Sequence, residues 1–320
     1  MASLIADDID FAGYMAQTEA KQKVRPAREF VDEMIAALGQ PRKVVQAFLP
    51  WDKTHALFGF RPGEVTLWAG VNGHGKSILT GQAVLSLLGQ DHRVCIASFE
   101  MKPAKTLERM LRQYSGQRGP NEWERSPDVI EAFRAVYDDF GDFTQRLWLY
   151  DQQGTVSAAT VLGVTRYAAV ELGCGHIVID SLMKCVKGED DYNGQKAFVD
   201  EIAAIARDLN IHVHLVHHIR KLGSETETPD KNDVKGSGSI TDQVDNLLVV
   251  WRNKKKEKDA AAGKKVSPDE PDALLICDKQ RNGEWEGKFA LWFDSDSQQF
   301  VGANGALALD FCTFPHRSQR

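Results

Sequence analysis

Long apolar runs are missing from this chain: none of its 320 residues falls in a stretch approaching the roughly 18 consecutive apolar residues of a membrane-spanning helix. The opening, MASLIADDIDFAGYM, carries acids where a secretory leader needs cations ahead of an apolar core. Both absences predict a cytoplasmic protein with no membrane partner. Cysteine is scarce, with five residues (Cys95, Cys174, Cys185, Cys277 and Cys312) and no CxxC pair, which argues against a disulfide framework and a structural zinc site. An excess of positive charge is also lacking. The 39 Lys and Arg stand against 45 Asp and Glu, a net charge of −6, so any contact with a polyanion must come from a local patch. No internal repeat or low-complexity tract occurs.

Apolar residues make up 42% and charged residues 26%, enough to bury a full core. At about 150 residues per domain the length fits two units, or a single α/β core with an extra segment. From Gly63 onward, short β-rich runs alternate with helical periodicity, which predicts an α/β fold: a mostly parallel sheet with helices on both faces. The expected strands are Glu64 to Ala69, Arg93 to Phe99, Arg146 to Tyr150, His176 to Asp180, Ile211 to Val216, Asn246 to Trp251, Leu274 to Asp278 and Lys288 to Phe293. The last two flank QRNGEWEG, whose Asn-Gly marks a C-terminal hairpin at the sheet edge. Leu107, Met110, Leu111 and Tyr114 recur at helical spacing, as do Phe198, Ile202, Ile205 and Leu209, and both stripes predict core faces. The core thus spans 51–302, after a polar segment and amphipathic helix in 1–50 and before a tail in 303–320. Phe30, Met34 and Leu38 share a face of that helix, which packs either on its own core or on a neighbouring subunit. Lys221 to Asp233 and Arg252 to Pro271 read as polar, linker-like segments.

GVNGHGKS matches GxxxxGK[ST] with Gly70, Val71, Asn72, Gly73, His74, Gly75, Lys76 and Ser77, between a strand (EVTLWA) and a helical stretch (KSILTGQAVLSLL). In that context the loop's N–H groups curl around phosphates, Lys76 reaches the β and γ phosphates of a nucleoside triphosphate, and Ser77 holds Mg²⁺. HIVID ends in Asp180, a carboxylate at the carboxyl edge of the sheet, where it is either a turn or helix cap or, given the upstream loop, the second metal-site acid. Glu100 closes the next strand, RVCIASFE, and is either a solvated strand-end acid or the base that orients an attacking water.

ASFEMKPAKTLERML, IVIDSL, VKGSGSITDQVDNLLVVWRN and DKQRNG, in that order, resemble the motifs after the P-loop in ring-shaped replicative DNA helicases of the DnaB type, in superfamily four. The likeness runs from about Trp51 to Val301, and with VHHIRK it is similar to the helicase domain of phage primase-helicases and their mitochondrial relative. It implies a RecA-like core that hydrolyses ATP or another NTP or dNTP with Mg²⁺. A hexameric homo-oligomer would move 5′ to 3′ on single-stranded DNA and unwind forked duplex, in the host cytoplasm for a phage-encoded member. Lys76, Ser77, Asp180 and Glu100 keep the roles above under the resemblance. His218 becomes the γ-phosphate sensor, while Arg281, with Lys279, becomes the finger on a neighbour's γ-phosphate. Arg220, Lys221, Lys235, Gly236 and Ser237 become DNA-backbone contacts. Arg252 lies beside the nucleotide base, with Trp292 or Phe293 as stacking partner. Asp242 stands where the DnaB-type pattern has Gln, and no zinc module or primase domain precedes the core, so primase and polymerase would be separate proteins. A RecA-like recombinase filament shares the P-loop and both acids, though KGSGSI and DKQRNG weigh against it. A nucleotide-gated helicase loader or scaffold without unwinding fits the same residues.

Overall fold

Alternating short apolar runs and amphipathic stretches fold into one sheet with helices on both sides. The computed structural model describes residues 3–5, 27–39, 46–116, 126–186, 188, 191–219, 228–229, 233 and 238–311. In chain order the elements are β1 (Ser3–Ile5), α1 (Ala27–Leu38), α2 (Asp52–His55), β2 (Val65–Gly70), α3 (Lys76–Gly89), β3 (Val94–Ser98), α4 (Pro103–Ser115), α5 (Pro127–Ala132), α6 (Arg134–Phe143) and β4 (Leu147–Tyr150). They continue as α7 (Ala158–Val170), β5 (His176–Asp180), α8 (Tyr192–Asp208), β6 (His212–His218), α9 (Gly238–Gln243), β7 (Asn246–Arg252), α10 (Lys254–Ala261), β8 (Ala273–Gln280), β9 (Gly287–Asp294) and β10 (Gln299–Val301).

Among the described residues ten strands run in the order β1-β4-β3-β5-β6-β2-β7-β8-β9-β10. Pairing is parallel from β1 through β7 and antiparallel from there to β10. All eight expected strands are present. The C-terminal hairpin is not the sheet edge, because β10 pairs outside β9 with Phe300 opposite Phe293. Both faces are covered, as a buried parallel sheet requires. Leu67, Ala97, Ile179 and Leu215 pack with Val161, Phe198 and Ile202 of α7 and α8, while Trp68, Ile96 and Val178 pack with Leu79, Met110 and Phe143 on the opposite side.

Met110 and Tyr114 of α4 and Phe198, Ile202 and Ile205 of α8 are buried, as their spacing predicts. Helix α1 instead leaves Val31, Met34, Ile35 and Leu38 exposed, Leu38 at 78%. The tail returns to the core as far as Phe311, which is buried, and Leu309 N donates to Gln299 Oε1 at 2.7 Å. Among the described residues no helix is long and apolar enough to cross a membrane.

A buried polar cluster sits on the α3 side of the sheet, where His176, His212 and His214 lie against Phe60. Trp68 Nε1 donates to His214 Nδ1 at 3.3 Å, so the His214 proton is on Nε2, which donates to His176 Nδ1 at 3.1 Å. Thr66 Oγ1 stands 2.9 Å from His212 Nε2. Burial holds the rings neutral, His212 at about 4 and the other two well below 6.5. A histidine that stays neutral when folded but protonates when unfolded contributes stability above pH 6.5 and loses it as pH falls toward the folded value. The loss is roughly 1.4 kcal/mol per pH unit for each ring. Urea melts should therefore show falling stability already between pH 6.5 and 5.5, above the carboxylate range. Stability that stays flat until carboxylates titrate would contradict this.

Candidate functional site

Sheet register brings the candidate residues to one edge. Gly70 pairs with His218 across β2 and β6, and Ser98, two residues before Glu100, pairs with Asp180 across β3 and β5. The loop after β2 needs its glycines at specific places. A Cβ on Gly70 would lie 2.7 Å from Val250 O, and Gly73 and Gly75 have φ of 78° and 89°, the left-handed region open to glycine. Gly75 is then the N-cap of α3, whose first residue is Lys76.

Lys76 Nζ donates to Gly70 O at 2.8 Å and Val71 O at 3.2 Å. Burial lowers its pKa to about 8, against the opposing pull of Asp180 and Glu100. Ser77 Oγ donates to Asp180 Oδ2 at 3.2 Å, so Asp180 is tied to the P-loop and is not a turn cap. Burial, and Glu100 nearby, raise the Asp180 pKa. These two oxygens, close together at a buried charge, suit Mg²⁺, which takes one or two protein oxygens and completes its shell with phosphate and water. Among the described residues no cluster of three or more His, Cys, Asp or Glu side chains is built to hold a metal.

Glu100 Oε1 accepts from Ser181 Oγ at 3.0 Å and stands 3.7 Å from His218 Nε2, an ion-pair separation longer than a hydrogen bond. His218, then Ser181, hold the Glu100 carboxyl at about 2 against its partial burial, so it is ionised at any working pH. Among the described residues His218 Nδ1 is buried with no hydrogen-bond partner. Asn72, Gly73, Gly75, Lys76, Ser77, Glu100, Asp180, His218 and Arg252 all line one cleft of about 560 Å³.

The side chain of His74 does not join them. It is buried, Nδ1 accepts from Arg252 N at 3.2 Å, and burial with nearby cations lowers its pKa to about 4. His74 thus ties the P-loop to the end of β7. The Arg252 guanidinium lies 4.8 Å from the Phe293 ring centroid, whereas Trp292 lies 5.7 Å from Lys53 Nζ and donates to Pro268 O. Phe293 is therefore the stacking partner.

Lys279 and Arg281 are elsewhere. β8 pairs Gln280 with Asn246 and Leu275 with Val250, and Val250 is the partner of Gly70. Both cations therefore sit at the amino edge of the parallel strands, roughly 13 Å along β7 from the P-loop. Lys279 Nζ donates to Thr241 O, Asp242 O and Val244 O at the end of α9, and Arg281 donates to Asp242 O at 2.8 Å and pairs with Asp245 at 3.2 Å. They converge on one point, as expected, and it is not their own subunit's cleft. Arg220, Lys221, Lys235, Gly236 and Ser237 lie outside the described residues.

Sequence reasoning missed Arg109, Met183, Lys184 and Ser181. Arg109 of α4 lines the cleft, donates to Met101 Sδ at 3.4 Å, and has its pKa lowered by burial. With Lys76, Lys184 and Arg252 it sets four cations against the two carboxylates of the cleft, a field suited to a polyanion. Its neighbour Met110 signalled a core stripe, and Arg109 is one step around that helix.

Residues 48–302 match the DnaB-like helicase C-terminal domain family. The chain belongs to that family. Among solved structures it is similar to a helicase ATPase domain, with 18% identity, a TM-score of 0.65, and coverage of 86% of this chain and 97% of that one. It is also similar to a DnaB-like replicative helicase described with its interactions with primase, with 17% identity and a TM-score of 0.68. There the match covers 86% of this chain and 65% of the other. These likenesses show the RecA-like fold, and open α/β sheets of this kind bind ligands at the carboxyl edge of their strands.

The Lys76 charge makes the cleft sensitive to pH. In the free protein Lys76 loses its proton as pH rises through about 8, and a phosphate-bound Lys76 must regain it. The KM for a nucleoside triphosphate should rise above pH 8, by at most about tenfold per pH unit. A KM flat from pH 7 to 10 would contradict this.

Proposed function

We propose that the chain is the NTP-hydrolysing motor of a ring-shaped replicative DNA helicase. The observation that carries this reading is the division of cations: Lys76 lines the cleft with Glu100, Asp180 and His218, while Lys279 and Arg281 converge on the opposite edge of the sheet. A closed ring brings that edge to the next subunit's nucleotide, where Arg281 stabilises charge developing on the transferred phosphoryl. Six copies is the number implied by the family.

Within each site Lys76 and the loop N–H groups bind the triphosphate, and Glu100, ionised and held by Ser181, orients the attacking water. Ser77 and Asp180 hold Mg²⁺, which supplies charge neutralisation between the β and γ phosphates when bound. His218, between Glu100 and the phosphates, reports the γ-phosphate to the chain after β6. Arg252 borders the base. Arg220, Lys221, Lys235, Gly236 and Ser237 contact the DNA backbone, which suits a motor that tracks any sequence. Residues 1–50 contribute α1, whose exposed Met34, Ile35 and Leu38 dock on the neighbouring subunit. The core spans 51–302, translocation runs 5′ to 3′, and the site of action is the cytoplasm, that of the host for a phage-encoded chain. A separate primase and polymerase are the expected partners, the first supported by the primase named with one relative.

The test is the rate of NTP hydrolysis with Mg²⁺, with and without single-stranded DNA. The reading expects stimulation that falls steeply as salt rises. An unstimulated rate in assembled rings would count against the DNA contacts.

A further inference from the structure

Helix α10 comes from a Lys-rich segment expected to be a solvated extension, yet it is pinned at the mouth of the cleft. Asn253 caps it, with Oδ1 accepting from Lys256 N at 3.0 Å, and Asn253 N donates to Asp272 O at 2.8 Å. Glu257, one turn in, bridges two cations: Oε1 accepts from Arg252 Nε and Oε2 from Lys254 Nζ at 3.0 Å. Asp272, at the far end of the excursion, pairs through Oδ1 with Lys256 Nζ at 2.8 Å and accepts through Oδ2 from Phe293 N at 2.9 Å. Both members of the Arg252–Phe293 stack are therefore tied to the same short helix, one by a side chain and one by its backbone. Arg252 lines the cleft and Phe293 does not, so the guanidinium face away from Phe293 is the one presented to a ligand.

We propose that α10 is a brace for the nucleoside half of the cleft. Glu257 and Asp272 are positioning residues that hold Arg252 flat on Phe293 so that a base stacks on its open face. This rests on the reading of the cleft as a nucleoside triphosphate site. Arginine loses much side-chain freedom when it is fixed, and a guanidinium already held by a carboxylate binds without that loss. The brace touches no group near the γ-phosphate, so it acts on binding of the nucleoside and leaves the chemical step alone.

Steady-state hydrolysis by the full chain tests this. Glu257→Gln should raise the KM for a nucleoside triphosphate roughly 3- to 10-fold with kcat kept within about twofold. Competitive inhibition by tripolyphosphate, which has no base, should be unchanged. In an Arg252→Ala background Glu257→Gln should add nothing, since it acts through Arg252. Asp272→Asn should shift KM in the same direction and serves if the first variant fails to fold. An unchanged KM, a parallel loss of tripolyphosphate inhibition, or full additivity with Arg252→Ala would each overturn the brace. Lys76→Ala, run alongside, checks the parent reading separately: retained turnover there would remove the triphosphate site itself.

Discussion

Replacing Lys76 with alanine should cut NTP turnover by at least roughly 10²- to 10³-fold, the effect of losing one preorganised charge from a phosphoryl-transfer site. The expectation follows from position. Lys76 is the first residue of α3, its Nζ lies within the loop that Gly70, Gly73 and Gly75 shape, and its charge is opposed by burial that a phosphate would offset. Glu100→Gln should behave differently, keeping nucleotide binding while losing hydrolysis. The amide retains an acceptor for Ser181 but no longer draws a proton from water. Equilibrium binding of a labelled nucleotide together with turnover separates the two. Normal turnover in the Gln variant would remove Glu100 from its role.

The second large effect concerns Arg281. An arginine supplied to a neighbour's phosphate is worth roughly 10³- to 10⁵-fold in kcat, so Arg281→Ala rings should be nearly inactive although every cleft residue is intact. Its own contacts to Asp242 O and Asp245 lie at a half-exposed edge, and their loss should cost little stability. Mixing variant and wild-type subunits gives the sharper reading. Each variant spoils a site on its neighbour, so activity should fall faster than the wild-type fraction. A loss in strict proportion would mean that Arg281 acts within its own subunit, which the register of β8 against β7 does not allow.

The parallel core was legible because strands buried on both faces read as continuous apolar runs, as in EVTLWA and HIVID. The P-loop was legible because its glycines have no other use between a strand and a helix. Asp180 and Glu100 could be named from strand ends alone, but their roles needed the register that sets Asp180 beside Ser77 and Glu100 beside His218. Other features left no local signal. β1 and β10 have three residues each and derive their order from the strands they pair with. Arg109 lies beside a core stripe on α4 and reveals itself only where that helix meets the cleft. α10 looks like a solvated charge run because the partners that order it, Glu270 and Asp272, lie more than ten residues further along the chain. The histidines of β5 and β6 read simply as strand residues, and only pairing of the two strands stacks His176 on His214.

Strand release from a forked duplex with two single-stranded tails, measured with NTP and Mg²⁺, bears most directly on the central claim that this chain is a ring motor. The account predicts release that requires hydrolysis, vanishes with Lys76→Ala and collapses with Arg281→Ala. DNA-stimulated hydrolysis in assembled rings with no strand release would contradict it, and would assign the same cleft to a recombinase filament or a loader.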